Sequence, residues 1–126
     1  MRAALVMVIA ACAEPHPDSE CFACDASFAS LVVEVVQANG QPALGLDAKT
    51  VHVASGTIVF AVNDNPTGAY TIADDNTSLV SPAGTLFRFS ILDDSVELAS
   101  RDVIIGADEC GCHIEPVDVP MRIVLP

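Results

Sequence analysis

The chain has 126 residues, with 17 Asp and Glu against 5 Lys and Arg and a formal net charge of -12. That length allows one domain, and folding at this size takes roughly two thirds of the unfolded surface out of water, enough for a single core. The acidic balance excludes nucleic acid as a partner and disfavours anionic headgroups, leaving neutral glycans, basic protein surfaces and cations.

At the N-terminus, Met1 and Arg2 precede the apolar run Ala3 to Ala11. One positive charge followed by about nine apolar residues is the layout of a secretory signal, and it is too short for a bilayer, which needs about 20. The run ends Val8-Ile9-Ala10-Ala11-Cys12, which resembles the lipobox of bacterial lipoproteins: an aliphatic residue, two small residues, then the cysteine that is acylated. The resemblance implies a signal peptide over residues 1–11, lipidation of Cys12 and attachment to the membrane through that anchor. Ala13 in the next position, where an aspartate would signal inner-membrane retention, is compatible with the outer membrane of a bacterial cell envelope. A plain secretory peptide cut near Ala11 or Ala13 is the alternative.

Residues 12–29 form the next unit. Ala13 to Ser27 carries two prolines, four acids and no apolar period, and is expected to be a disordered tether in which His16 is solvated. A strand then runs from Ser30 to about Gln37, with Leu31, Val33 and Val35 on one face and Val32, Glu34 and Val36 on the other. Asn39-Gly40 and Pro42 turn the chain out of the sheet. Leu44 to Lys49 reads as a connection. Thr50 to Ala54 alternates, with Val51 and Val53 on one side and His52 facing solvent, and Ser55-Gly56 turns it into a strand over Thr57 to Asn63 with Ile58, Phe60 and Val62 inward.

After a polar loop over Asn63 to Gly68, Ala69 to Ala73 places Tyr70 and Ile72 on one face, and Asp74 to Thr77 is the following loop. Ser78 to Gly84 is irregular. Thr85 to Leu92 is a strong strand with Phe87, Phe89 and Ile91 toward the core and Arg88 and Ser90 outward. Val96 to Ile105 carries one or two strands with a break near Ser100 to Asp102. Val117 to Leu125 alternates throughout, and Pro120 within it suggests an edge or a bulge.

Short strands with turn signals every eight to twelve residues, and no helical period after the signal, predict an all-β fold. The expected architecture is a single Greek-key β-sandwich of about seven strands, prealbumin/Ig-like, over residues 30–126. Ser30 to Pro42 with Gly45, then Gly68-Ala69-Tyr70-Thr71-Ile72, then Gly84-Thr85-Leu86-Phe87-Arg88-Phe89-Ser90 resemble the carboxypeptidase regulatory-like domain of the transthyretin (prealbumin) type. The family's signature is a valine-rich strand, an N-G-x-P turn, a G-x-Y-T strand and a G-T-[FL]-x-[VF]-x-[VI] strand. The resemblance implies a non-catalytic accessory, interaction or stability module, common on secreted proteins.

The five cysteines are Cys12, Cys21, Cys24, Cys110 and Cys112. With Cys12 assigned to lipidation, four remain in a protein expected to be oxidised. Pairing within Cys-x-Cys closes a strained small ring, so two disulfides between the cluster Cys21, Cys24 and the cluster Cys110, Cys112 are expected. The alternative is four thiolates around zinc with His113 beside them, although Cys-x-Cys is an unusual zinc spacing. Acids and amides at Asn63 to Gly68, Asp74 to Asn76 and Asp93-Asp94 suit calcium if these loops converge at one end of the sandwich, while Asp and Asn are also plain turn formers. The chain has no Gly-x-Ser-x-Gly elbow, no His-Glu-x-x-His pair and no phosphate loop. No catalytic residue and no cofactor are assigned, and the reading is of a protein that is not an enzyme. Its function is expected to be that of a cell-envelope lipoprotein whose sandwich is a binding, adhesion or structural module with a protein or glycan ligand. The alternative is a metal-binding or hydrolytic transthyretin-like domain. Five Phe, one Tyr and no Trp leave little aromatic surface on which a sugar could stack.

Overall fold

A computed structural model describes Cys24, Asp25 and residues 27–126 of the chain. The expected signal peptide, Cys12, Cys21 and most of the tether lie outside these residues.

Two sheets pack face to face. The five-stranded sheet has the order β3-β2-β5-β6-β7, from β2 (Leu46–His52), β3 (Thr57–Asn65), β5 (Thr85–Asp93), β6 (Val96–Ala107) and β7 (Ile114–Asp118). The three-stranded sheet has the order β4-β1-β8, from β1 (Ser30–Val36), β4 (Ala69–Asp74) and β8 (Arg122–Val124). Neighbouring strands are antiparallel except β1 and β8, which run parallel. The meander β5-β6-β7 with β2 brought back beside β5, by way of β3 and β4, is the Greek-key arrangement of a β-sandwich.

Alternation along the strands fills the space between the sheets. Val33, Val35, Tyr70, Ile72 and Ile123 from the smaller sheet meet Phe87, Phe89, Ile91, Val103 and Ile105 from the larger, all essentially without solvent exposure. Two polar groups inside this core are satisfied across it. Thr50 donates from Oγ1 to the Ile72 carbonyl at 2.6 Å, and Tyr70 donates from its hydroxyl to the Ala43 carbonyl at 2.6 Å. Tyr70→Phe strands that carbonyl and is expected to cost about 1–2 kcal/mol in urea unfolding, with the strand signal in circular dichroism unchanged.

The turn after β1 is built as its residues require. Gln37 and Gln41 close it, Asn39 Oδ1 accepts the Gln41 N–H, and Gly40 takes φ +87°. Pro42 then bridges back to Val36 and packs under Gly68 of the β3–β4 turn. Gly68 has φ +83°, and a Cβ there would lie 2.8 Å from the Pro42 Cβ, with backbone on the other side. Gly68→Ala is therefore expected to destabilise by at least about 1 kcal/mol, read as a lower urea midpoint at unchanged slope.

Four expectations about strand placement are corrected. Leu46 to Lys49 is not a connection but the first half of β2, and the inward residues of that strand are Ala48 and Thr50, not the valines. His52 consequently lies on the core side, edge-on to Phe87 with ring centroids 5.6 Å apart, while its Nδ1 meets Ser55 Oγ at 2.7 Å in the turn. In β3 a bulge opposite Thr50 and Val51 reverses the alternation, so that Val59 packs against the core and Ile58 turns out to solvent; a bulge adds one residue and flips everything beyond it. β6 runs unbroken through Ser100 to Asp102 because all of these residues pair with β5. Finally, Val117 to Leu125 is not one strand, and its alternate apolar residues do not share a buried face: Ile123 and Leu125 are buried, while Val117 and Met121 are exposed. It leaves the large sheet after Asp118, crosses at Val119-Pro120-Met121 and joins β1 in the small sheet. Pro120, with no N–H to give a ladder, sits where the chain changes sheets.

Candidate functional site

The chemistry-bearing side chains gather where the tether meets the sandwich. Cys24 is bridged to Cys112, in the loop between β6 and β7, with a Cα–Cα separation of 5.4 Å across 88 positions of sequence. Cys110 is disulfide-bonded as well. The loop is shaped by Asp108, whose Oδ1 accepts the Cys112 N–H at 2.8 Å and whose own N–H donates to the His113 carbonyl at 2.9 Å. Gly111, at φ +70°, lets the chain fold back between them.

His113 follows Cys112 and projects between two carboxylates. Its Nδ1 lies 2.7 Å from Asp75 Oδ2 and its Nε2 lies 2.9 Å from Asp25 Oδ1. Asp75, just after β4, is nearly buried, and each of its oxygens also takes a backbone N–H: Oδ2 from Ala29 at 2.8 Å, Oδ1 from Ile114 at 2.9 Å. A single carboxylate thus holds the residue before β1, the residue that opens β7, and the imidazole. Asp25 is exposed and takes the N–H of Ser27 at 3.0 Å and its hydroxyl at 2.5 Å.

The electrostatics follow from this geometry. Hydrogen bonds donated to Asp75 and then to Asp25 raise the His113 pKa above the ordinary 6.5, against a smaller opposing effect of burial. Asp25 is held below the usual 3.8, first by the Ser27 hydroxyl, then by its N–H and His113; Asp75 is held below it first by the Ala29 N–H, then by His113. With a carboxylate at each nitrogen, both N–H groups of the protonated ring have an acceptor, and this geometry favours the imidazolium over the neutral ring.

That charge state decides what the cluster can do. Ser27 Oγ lies 3.4 Å from Nε2, so Ser27, His113 and Asp75 have the composition of a nucleophilic triad. A ring protonated on both nitrogens has no lone pair with which to take a serine proton, however, and Asp25 holds the Nε2 position the serine would need. Nor do the three side chains make a metal centre: Asp25 and Asp75 bracket opposite edges of the ring instead of converging on one nitrogen. Among the described residues no group of three or more His, Cys, Asp or Glu is arranged to hold a metal ion. Cys24 and Cys112, being bridged, have no thiolate to offer zinc.

The acidic loops do not converge. Asp47 pairs with Leu92 and Leu46 with Asn65, so Asn63 to Gly68 and Asp93-Asp94 share one end of the sandwich. Asp74 pairs with Ser30 at the start of β1, which puts Asp74 to Asn76 at the opposite end, beside the clasp. Asn65 is occupied internally, with Oδ1 accepting the Thr67 and Gly68 N–H groups and Nδ2 donating to the Ala69 carbonyl. A cleft of about 380 Å³ lies at the end away from the clasp, lined by Gln37, Ala38, Asn39, Leu98, Leu125 and Pro126 with no ionisable side chain.

Sequence reasoning placed His113 beside the cysteines and missed both aspartates. One signal was present. Asp25 follows Cys24 and His113 follows Cys112, so a bridge between those cysteines brings an acid and a base together; Asp75 stands out only as part of the acidic loop Asp74 to Asn76, and nothing in the sequence pairs it with His113. No protein-family model, curated protein or solved structure matches this chain.

Proposed function

We propose that this is an exported, lipid-anchored β-sandwich of the carboxypeptidase regulatory-like type that serves the cell envelope as a non-catalytic binding or structural module. The observation that carries the reading is the clasp. A residue at the end of the tether is fastened to the body by a disulfide, by the Asp25–His113–Asp75 ion pairs and by the Ala29–Asp75 bond. Disulfides persist in oxidising compartments, outside the cytosol. A domain held by its N-terminal segment against the pull of an acylated Cys12 needs that segment secured to its core.

Further support comes from the pieces quoted for the resemblance. The valine-rich segment is β1, Asn39-Gly40 to Pro42 is the turn that follows, and the other two segments are β4 and β5 with the glycines that precede them. The doubly bonded imidazolium supports the non-catalytic part of the reading.

The test is intact mass and thiol titration of the protein recovered from a bacterial envelope. The expected product begins at Cys12, carries the mass of acyl chains and yields four additional thiols on reduction. A product that retains Met1, or that has free thiols at Cys21, Cys24, Cys110 and Cys112 before reduction, overturns the proposal.

A further inference from the structure

The clasp fixes which end of the sandwich lies nearest the anchor. Cys112 and His113 sit between the end of β6 and the start of β7, Ala107 pairs with Ile114, and Thr85 pairs with Ile105. The start of β5 and the end of β2 therefore form part of the same rim. Residues 12 to 24 span at most about 40 Å fully extended, so a chain anchored at Cys12 has this rim within about that distance of the bilayer, nearer along the chain than the opposite end.

On that rim the outer face of the large sheet is apolar. Because Ala48 and Thr50 are buried, Lys49, Val51 and Val53 point away from the core, as do Leu86 and Arg88 on β5. Val53 donates its N–H to the Leu86 carbonyl at 3.3 Å, and Val51 stands opposite Ile58. Val53, Ile58 and Leu86 are each 42–56% exposed. These are neighbours on a continuous surface, not scattered single side chains.

The cations lie one step further from the rim. Lys49 and Arg88 line a groove of about 350 Å³ with Val51, Val53, Ser90 and Glu97, and Arg88 pairs with Asp102 at 3.0 Å with both side chains more than half exposed. Lys49 and Arg88 offset Glu97 and Asp102, so in a chain of net charge -12 this strip is locally balanced, in contrast to the clasp beside it with its exposed Asp25 and Glu109. Apolar side chains at the edge with long basic ones behind them is the order in which an interfacial surface meets lipid and then phosphate.

We propose that Val53, Ile58 and Leu86 insert into the bilayer that carries the anchor, with Lys49 and Arg88 at the level of the lipid phosphates. This rests on the lipid-anchor reading above, and the test separates the two. The full chain is coupled through Cys12 to a maleimide lipid in vesicles of phosphatidylethanolamine and phosphatidylglycerol, so that anchoring is supplied chemically. The chain has no tryptophan, so Leu86→Trp reports on the rim alone and Val124→Trp on the outer face of the small sheet. Brominated lipids are expected to quench Leu86→Trp by more than half, with a blue shift, to leave Val124→Trp unchanged, and to lose their effect on Leu86→Trp when Ile58→Asp is added. Equal quenching at the two positions, or none at Leu86→Trp, overturns the docking. So does a blue shift of Leu86→Trp without lipid that accompanies a doubled mass in sedimentation, which would assign the face to a second copy of the chain. Acylation of the native protein is read from its mass and stands or falls independently.

Discussion

Full reduction of the folded protein at neutral pH is expected to lower its unfolding free energy by up to about 4 kcal/mol. The Cys24–Cys112 bridge closes a loop that contains nearly every strand, with a sequence separation of 88, and in the chain-entropy picture the effect grows with the logarithm of loop length. Native contacts add to it, because the bridge holds Asp25 within reach of His113. Urea unfolding with and without a phosphine reductant measures the difference. Cys110 is also bonded, so the pair Cys24→Ser and Cys112→Ser is expected to cost less than full reduction, since a remaining bridge still constrains the unfolded chain. An unchanged midpoint on reduction would mean that β1 and the β6–β7 loop are held by the sandwich alone.

Much of the sandwich was legible because its central strands are buried on one face only. Phe87, Phe89 and Ile91 alternate with the exposed Leu86 and Arg88, and this period of two places the first set in the core, although Ser90, expected outward, is buried as well. The reading failed where a second physical effect overrode hydrophobicity. In β2 the buried Thr50 is inward because its hydroxyl reaches the Ile72 carbonyl, which lets two valines face out. In β3 a bulge, invisible in composition, changes the face of Ile58. From Val117 to Leu125 the apolar alternation of the sequence spans a change of sheets, so that Ile123 and Leu125 are buried while Val117 and Met121 face solvent; a period of two does not record which strand the residues pair with. The clasp is harder still. Asp25 and Asp75 are separated by 38 or more positions from His113, and only the antiparallel pairing of β1 with β4 and of β6 with β7 brings the three to one end. Asp75 reads in sequence as a turn former, and it does occupy a turn; its second role appears only in three dimensions.

The stability of the clasp is expected to pass through a maximum in mild acid. His113 has its pKa raised on folding, so its contribution is fully present below the ordinary 6.5 and is lost as the pH rises through the raised value. Asp25 and Asp75 have theirs lowered, so their contributions are fully present above the ordinary 3.8 and are lost as the pH falls through the lowered values. All three act together between about 3.8 and 6.5. Once the pH has passed the raised value the ring keeps one proton, and that proton goes to Asp75 because the buried carboxylate already fixed by Ala29 and Ile114 has no other place to turn. Nε2 then presents a lone pair to Asp25, and the exposed carboxylate is the one released. His113→Gln, which can donate to Asp75 but carries no charge, is expected to flatten the profile on the alkaline side, leaving the acid limb set by Asp75 and its two backbone donors. Thermal melts from pH 3 to 9, run with the disulfides intact so that only the ion pairs change, read both limbs. If the native protein gains stability between pH 6.5 and 9, His113 is neutral in the folded state. Its bond to Asp25 would then be a contact between two acceptors, and Asp25 would not be part of the clasp.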